Sequence, residues 1–155
     1  MAMLFVKETL VDPYIVAIDN KLLRAKGHLW HKSSMIKGVI PRSGIDIDAR
    51  WGFSHTKHWI FGYKLHITSS TDSLIIVPLS ADFTQADVQD NQMYPAITSS
   101  SLPQGVRYVT ADSGYDDDHN LYSLSIDRGF ELVCPVSEIY NHTSADRLQL
   151  INFYL

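Results

Sequence analysis

The fold is decided by residues 106–118, which read Val-Arg-Tyr-Val-Thr-Ala-Asp-Ser-Gly-Tyr-Asp-Asp-Asp. The β-branched and aromatic residues of 106–110 predict a strand. Asp112 follows that strand, and the pair Ser113-Gly114 is typical of a turn. A carboxylate at the carboxyl end of a buried strand is well placed to bind a metal ion or to transfer protons. An Asp that only caps the following turn is the alternative, and on this stretch alone the two interpretations carry equal weight.

A second apolar strand ends in the same way. Residues 14–19, Tyr-Ile-Val-Ala-Ile-Asp, form a nearly continuous apolar run that stops at Asp19, which predicts a buried central strand. If the two strands are parallel neighbours, Asp19 and Asp112 lie a few ångströms apart and can share divalent cations. Two such cations about 4 Å apart can hold the attacking and leaving oxygens of a phosphoryl transfer. The two acids are therefore the candidate catalytic and metal-binding residues.

Length and composition exclude several classes of protein. A chain of 155 residues fits a single domain, which we place at 1–155. No run of about 18 apolar residues predicts a membrane span, and the first residues lack a secretory pattern. Cys134 is the one cysteine, so an internal disulfide is excluded and a reducing compartment is indicated. These features predict a cytoplasmic protein with no membrane contact.

Basic residues are concentrated in one segment of a mildly acidic chain. The net charge is −4, yet nine of the thirteen Lys and Arg residues lie between Lys21 and Lys64, at 21, 24, 26, 32, 37, 42, 50, 57 and 64. The acids in that interval are Asp46 and Asp48. A basic segment inside an acidic chain favours contact with a polyanion over a solvated loop with a chance excess of lysine.

Much of that basic segment shows no regular period. Residues 20–58 contain several Gly and Pro residues, which predicts a long basic loop inserted after the first strand. The candidate residues for this polyanion contact, whose groups can bind phosphates or stack on bases, are Arg42, Arg50, Trp51, Lys57 and Lys64. For Trp30 and Trp51, anchoring of the loop on the core is an equal alternative. The pairs His28/His31 and His55/His58 lack cysteine partners, and we reject a zinc site there.

Periodicity predicts the remaining elements. Residues 59–68 alternate as a strand, and the apolar run 74–79 predicts its hairpin partner. Helices are predicted from Thr84 through the region of Pro95, from about Asp117 to Ile126 with Gly129 beyond its end, and from Ser144 onward. Residues 130–136 predict a fifth strand. The order indicates an α/β fold, with a mixed five-stranded sheet flanked by helices.

Several of these stretches together resemble one family. They are Asp19 after its strand, Gly-Val-Ile-Pro-Arg-Ser-Gly at 38–44, Asp-Ala-Arg-Trp-Gly at 48–52, Phe-Gly-Tyr-Lys-Leu-His at 61–66 and Ala-Asp-Ser-Gly-Tyr-Asp at 111–116. The combination resembles bacterial insertion-sequence transposases of the DDE type, over nearly the whole chain. The resemblance implies a ribonuclease H-like catalytic domain in which Asp19 and Asp112 are the first two acids and bind Mg²⁺ or Mn²⁺. It further implies cleavage and strand transfer of DNA, element ends and target DNA as partners, a homodimer, and a nucleoid-associated protein.

The third acid of that family is a Glu on a helix farther downstream. Glu131 and Glu138 follow Asp112 too closely to match it, on or beside the fifth strand. The resemblance therefore implies a partial catalytic domain that stops at Leu155, before the catalytic Glu, so that enzyme activity of this chain is uncertain. A catalytically inactive DNA-binding remnant and another ribonuclease H-like nuclease are the alternatives.

Overall fold

The computed structural model describes residues 14–54, 56–71, 76–100, 102–116 and 120–135. The strands are β1 (Ile15–Arg24), β2 (Arg50–Ser54), β3 (His58–Ser70), β4 (Pro78–Gln85), β5 (Tyr108–Thr110) and β6 (Glu131–Val133). The helices are α1 (Lys32–Ile36), α2 (Asp90–Ser100) and α3 (Asn120–Asp127), and a 3₁₀ turn spans Ser113–Tyr115.

The strands form one mixed sheet in the order β2-β3-β1-β5-β6, and β4 also pairs with β3. β1 is antiparallel to β3, whereas β1–β5 and β5–β6 are parallel pairs. β2 and β4 pair with successive parts of the long β3, opposite His58–Gly62 and Tyr63–Ser69 respectively. This arrangement confirms the predicted α/β class with a mixed sheet, and it adds a sixth strand.

The main core lies between one face of the sheet and helices α2 and α3. Val16 and Val109 are fully buried on the sheet side, and Tyr94 and Ile97 of α2 pack against them. Burying side chains of this size stabilises the fold by about 1.5–3 kcal/mol each. The Tyr94 hydroxyl and the Ser125 hydroxyl lie 2.7 Å apart, which joins α2 to α3 and satisfies both groups.

Helix α3 ends as its sequence predicts. Gly129 has a φ of +85°, and its amide donates to the Ile126 carbonyl. The Phe130 amide donates to the Ser125 carbonyl. This pair of hydrogen bonds around a left-handed residue is the Schellman motif, in which glycine costs least. The turn sends the chain directly into β6.

The segment predicted as a long loop, 20–58, contains regular structure. β1 does not stop at Asp19 but continues to Arg24, because residues 16–24 pair with β3 along its length. The short helix α1 and strand β2 also lie in this segment. A hairpin partner, rather than local periodicity, makes residues 50–54 a strand. The domain boundaries themselves stay predictions.

Two other boundaries differ from the sequence-based expectations. Thr84 belongs to β4, so α2 begins at Asp90, and Pro95 lies inside a helix that continues to Ser100. The hairpin partner of β3 begins at Pro78, while residues 72–75 lie outside the described residues. Residues 117–119, Glu138 and the helix predicted from Ser144 also lie outside them. Among the described helices, none is long and apolar enough to cross a membrane.

Candidate active site

The two predicted acids lie at the same end of neighbouring parallel strands. Ile15, Val16 and Ala17 of β1 pair with Tyr108, Val109 and Thr110 of β5, in that order. Asp19 and Asp112 each follow the last pair by two residues, and they therefore occupy equivalent positions in the register. Neighbouring strands lie about 4.8 Å apart. The structure thus shows the parallel pairing that a shared cation site requires, while the roles of the two acids stay predictions.

Both carboxylates are exposed, and each has a local hydrogen bond. Asp112 Oδ1 accepts the Gly114 amide at 3.0 Å and caps the 3₁₀ turn. Asp19 Oδ1 accepts the Asn20 amide at 2.7 Å. The turn-capping interpretation of Asp112 is therefore correct, but it does not exclude the functional one. A cap that fixes one carboxylate oxygen also limits the rotation of the side chain.

A third carboxylate, missed in the sequence, lies beside this turn. Asp90 begins α2, and its Oδ2 would be 3.4 Å from a Cβ placed on Gly114, while Asp112 Oδ1 would be 3.0 Å away. The other oxygen, Asp90 Oδ1, accepts from Lys64 Nζ at 2.8 Å. An Asp in the first helical turn is a recognisable signal. It was missed because the helix was expected to begin at Thr84.

Negative charge accumulates around Asp112. The surrounding chain removes part of the water near its carboxylate although the residue is exposed, and this partial burial raises its pKa. The Gly114 amide opposes the rise, whereas the charges of Asp90 and Asp19 add to it and Lys64 again opposes it. Burial also raises the pKa of the Tyr115 hydroxyl, with Asp90, Asp112 and Asp19 adding to the effect and Asn20 opposing it. The three carboxylates therefore act on one small region.

Replacing Asp112 with Asn is expected to raise the melting temperature of the cation-free protein at neutral pH by about 1–2 °C. Because folding raises the pKa of this carboxyl, its contribution to the free energy of unfolding falls as pH rises through that pKa. Asn removes the effect, and its amide oxygen can still accept the Gly114 amide. Thermal denaturation near pH 7 and near pH 3 measures it. A gain that is equally large near pH 3, where Asp112 is protonated, would contradict this explanation.

The predicted DNA-binding residues do not form one surface. Lys64 is 8% exposed and pairs with Asp90. The Arg50 guanidinium donates to the carbonyls of Ile47 and Ala49. Arg42 and Lys57 are exposed. The structure thus gives Lys64 and Arg50 internal partners and leaves Arg42 and Lys57 exposed, while the DNA-binding roles of all four stay predictions.

The two tryptophans of the basic segment anchor it. Trp51 Nε1 donates to the Trp30 carbonyl at 2.6 Å, and Trp30 Nε1 donates to the Val39 carbonyl at 2.8 Å. The Trp51 ring also lies against Phe61, with centroids 5.4 Å apart. These contacts agree with anchoring of the loop, which was one of the two interpretations of Trp30 and Trp51, the other being stacking on a base.

Of the two Glu residues considered in the sequence, Glu131 is described by the structure and Glu138 lies outside the described residues. Glu131 is exposed and pairs with Tyr108, four residues before Asp112 and so about 13 Å away along the sheet. Across the described ranges no three His, Cys, Asp or Glu side chains are grouped closely enough to hold a metal ion between them. Among the described residues, the site therefore consists of Asp19 and Asp112 at equivalent positions on neighbouring strands, and Asp90 lies near the turn that follows Asp112.

Comparison with known proteins identifies the family. Residues 11–149 match the sequence model of the family described as "Transposase DDE domain". A search of curated proteins gave no match. A cryo-electron microscopy structure of the piggyBac transposase synaptic complex with hairpin DNA is similar, with 12% sequence identity and a TM-score of 0.45, over 86% of this chain. This chain spans 25% of that transposase chain. Because the family match covers most of its length, the chain belongs to the transposase DDE domain family.

Proposed function

We propose that this chain carries the DNA-cleaving centre of a DDE transposase, with Asp19 and Asp112 as two of its acids. The observation that carries the proposal is the parallel register of β1 and β5, which puts the two acids at equivalent positions. Element-end cleavage and strand transfer into target DNA are the reactions proposed for the whole protein. A bacterial origin, a missing downstream Glu and a homodimer stay predictions.

The donor set fits a divalent cation. Mg²⁺ is held in many nucleotide-processing sites by one or two carboxylates, together with waters and substrate phosphates. Asp19 and Asp112 supply two exposed carboxylates at one edge of the sheet, and neighbouring negative charge makes that edge attractive to a cation. When bound, Mg²⁺ or Mn²⁺ would polarise the scissile phosphate and acidify the attacking water. The Gly114 amide would keep Asp112 oriented toward that cation.

Millimolar Mn²⁺ or Mg²⁺ is expected to raise the melting temperature of the wild-type protein, because a ligand that binds the folded state stabilises it. At a cation concentration of 100 times Kd the gain is about 2.7 kcal/mol, or roughly 5–10 °C. Asp19→Asn and Asp112→Asn should lose this gain. Asp127→Asn, which changes an exposed acid of α3, is the matched control and should keep it. An equal gain in all four proteins would show that the cation binds elsewhere.

A DNA-contacting surface lies at the hairpin of β2 and β3. Phe53 and Trp59 face each other across the strands, with ring centroids 5.4 Å apart, and are 50% and 54% exposed. Lys32 Nζ lies 4.2 Å from the centre of the Trp59 ring, and Lys57 is exposed in the turn. Exposed aromatic rings beside cations are the groups that bind nucleic acid through stacking and phosphate contact.

The distance between the hairpin and the acids would allow both to contact one DNA duplex. Asp19 pairs with Ile67 of β3, and Trp59 precedes Ile67 by eight residues, or about 26 Å of strand. β1 runs from Asp19 toward Arg24, so this part of β3 extends beyond the end of the sheet that carries the acids. A duplex rises 3.4 Å per base pair. DNA cut at the acids and lying along β3 would therefore meet the hairpin about 8 base pairs away.

Trp59→Ala is expected to weaken DNA binding about tenfold or more, because stacking on an aromatic side chain contributes roughly 1–3 kcal/mol per base. Lys57→Ala should reduce the slope of log binding affinity against log salt concentration by about one, which corresponds to one lost phosphate contact. Fluorescence anisotropy with labelled duplex at several salt concentrations measures both effects. Arg107→Ala removes an exposed cation before β5 and is the control. If Arg107→Ala weakens binding as much as Lys57→Ala, the hairpin is not the contact surface.

A further inference from the structure

An ion pair between buried Lys64 and half-buried Asp90 lies beside the candidate site. Lys64 of β3 is 8% exposed, and its ammonium donates to Asp90 Oδ1 at 2.8 Å and to the Val88 carbonyl at 2.6 Å. Removing a Lys and an Asp from water costs several kcal/mol per ion, and replacing such pairs with apolar residues is often neutral or stabilising. Burial of the pair is therefore weak evidence for a role in stability alone. Its position suggests another role.

Contacts connect the pair to Asp112. Lys64 holds Asp90 Oδ1, and Asp90 Oδ2 would lie 3.4 Å from a Cβ placed on Gly114. The amide of Gly114 in turn holds Asp112 Oδ1. These contacts run from β3, through the first residue of α2, to the 3₁₀ turn that begins after Asp112. The side chain of Asp112 thus accepts from a turn that lies close to the Asp90 carboxylate.

The close fit at Gly114 makes this support specific. A Cβ at this residue would be 3.0 Å from Asp112 Oδ1 and 3.4 Å from Asp90 Oδ2. The space beside Gly114 therefore leaves little room for a side chain near these two carboxylates. A displacement of Asp90 would allow the turn to move, and Asp112 would move with it relative to Asp19.

We propose that Lys64 and Asp90 are positioning residues for the cation site. In this proposal, which rests on the proposed function, Lys64 fixes Asp90, and Asp90 fixes the turn that aims Asp112 toward Asp19. Neither residue contacts the cation or the substrate. Residues that orient metal-binding carboxylates in this way typically change metal affinity 10–100-fold when replaced.

Mn²⁺ binding to the full chain, measured by calorimetry, tests the proposal without relying on activity. Asp90→Asn keeps the shape of the side chain and Lys64→Met keeps most of its length, so each removes charge with little change in volume. Both are expected to weaken Mn²⁺ binding about 10–100-fold while binding stays saturable. Lys37→Met, at an exposed lysine outside the proposed binding surfaces, is the matched control and should bind like the wild type.

The double variant tests whether the two residues act as one unit. Lys64→Met combined with Asp90→Asn should bind Mn²⁺ no more weakly than the worse single variant, because both changes break the same support. Losses that multiply would overturn the positioning pair. Loss of all binding in Asp90→Asn, as expected for Asp112→Asn, would also overturn it, because Asp90 would then be a ligand.

The failures of the two proposals can be distinguished. If the wild type binds Mn²⁺ and Asp90→Asn binds it with the same affinity, the positioning role is overturned and the proposed function stands. Absence of Mn²⁺ binding in the wild type would overturn both. Circular dichroism of each variant verifies folding, and if Lys64→Met does not fold, Asp90→Asn alone decides the result.

Discussion

Asp112→Asn is expected to lower the rate of Mg²⁺-dependent nicking of element-end DNA about 10³-fold or more. A cation acting on a phosphate contributes several kcal/mol of transition-state stabilisation, and each 1.36 kcal/mol is a tenfold change in rate. An amide oxygen carries no charge and binds Mg²⁺ poorly. Asn still fits the turn, since its side chain can accept the Gly114 amide as Asp112 does. The loss therefore reports on the carboxylate and not on the fold.

Asp19→Asn should reduce nicking to a similar degree, because Asp19 and Asp112 occupy equivalent positions on β1 and β5. The double variant should lose little more than either single one, since acids that hold one cation act as a unit. Asp127→Asn is the control with an exposed acid on α3. Nicking of supercoiled plasmid and of labelled element ends, with and without Mg²⁺, gives the rates.

The other outcomes identify the alternatives. Salt-sensitive DNA binding by the wild type without any nicking would contradict the proposed catalytic role and favour an inactive DNA-binding remnant. Cleavage of RNA–DNA hybrids in preference to duplex DNA would favour a different ribonuclease H-like nuclease. Full activity in Asp112→Asn would remove Asp112 from the reaction altogether.

The positions of the two acids could be predicted because the relevant signal is local. Asp19 and Asp112 each follow an apolar strand, and such strands in an α/β sheet place their carboxyl ends at one edge. The neighbouring position of β1 and β5 could only be assumed, since it depends on pairing between residues more than 90 positions apart, such as Ile15 and Tyr108. The structure supplies that pairing.

The alternation of β3 predicted a strand but not which of its faces would be buried. The buried face carries polar residues such as His66, Thr68 and Ser70. They find partners that no periodicity can show: His66 Nε2 lies 3.0 Å from the Thr84 hydroxyl, and Thr68 lies 2.6 Å from the Ser80 hydroxyl. Burying a hydroxyl is tolerated once its hydrogen bonds are made, whereas the buried His66 ring is satisfied only at Nε2, since its Nδ1 has no hydrogen-bond partner among the described residues. Lys64 was expected to meet DNA because its burial on this same face could not be foreseen.

Trp30, Trp51 and Asp90 show the same limit. The sequence could not choose between stacking on a base and anchoring a loop, because the choice depends on whether a carbonyl lies within reach of each indole. The structure provides the Val39 and Trp30 carbonyls. Asp90 could be identified as a residue near the site only once the structure showed that α2 begins there. In each case the missing information is the three-dimensional position of a partner or of a helix start, which local sequence patterns do not give.

Gly62→Ala is expected to lower the free energy of unfolding by about 3 kcal/mol or more, with the melting temperature falling by roughly 6–12 °C. A Cβ at Gly62 would lie 1.9 Å from the Leu23 carbonyl oxygen, 2.8 Å from the Ala25 nitrogen and 3.0 Å from the Arg24 Cα. All three are backbone atoms, so no side chain can rotate away. Gly62 also pairs with strands on both sides, with Arg24 of β1 and Arg50 of β2. Either β1 or β2 must therefore shift.

Gly38→Ala is the matched control, because a Cβ there would meet nothing within 4 Å. Its φ of +66° still disfavours alanine, by roughly 1–2 kcal/mol, so that the difference between the two variants isolates the steric clash at Gly62. Thermal and urea denaturation measure both. The clash bears on the active site, because the same β1–β3 register that brings Arg24 to Gly62 brings Asp19 to Ile67. If Gly62→Ala melts like Gly38→Ala, β1 does not pass this close to β3, and the register that positions Asp19 loses its support.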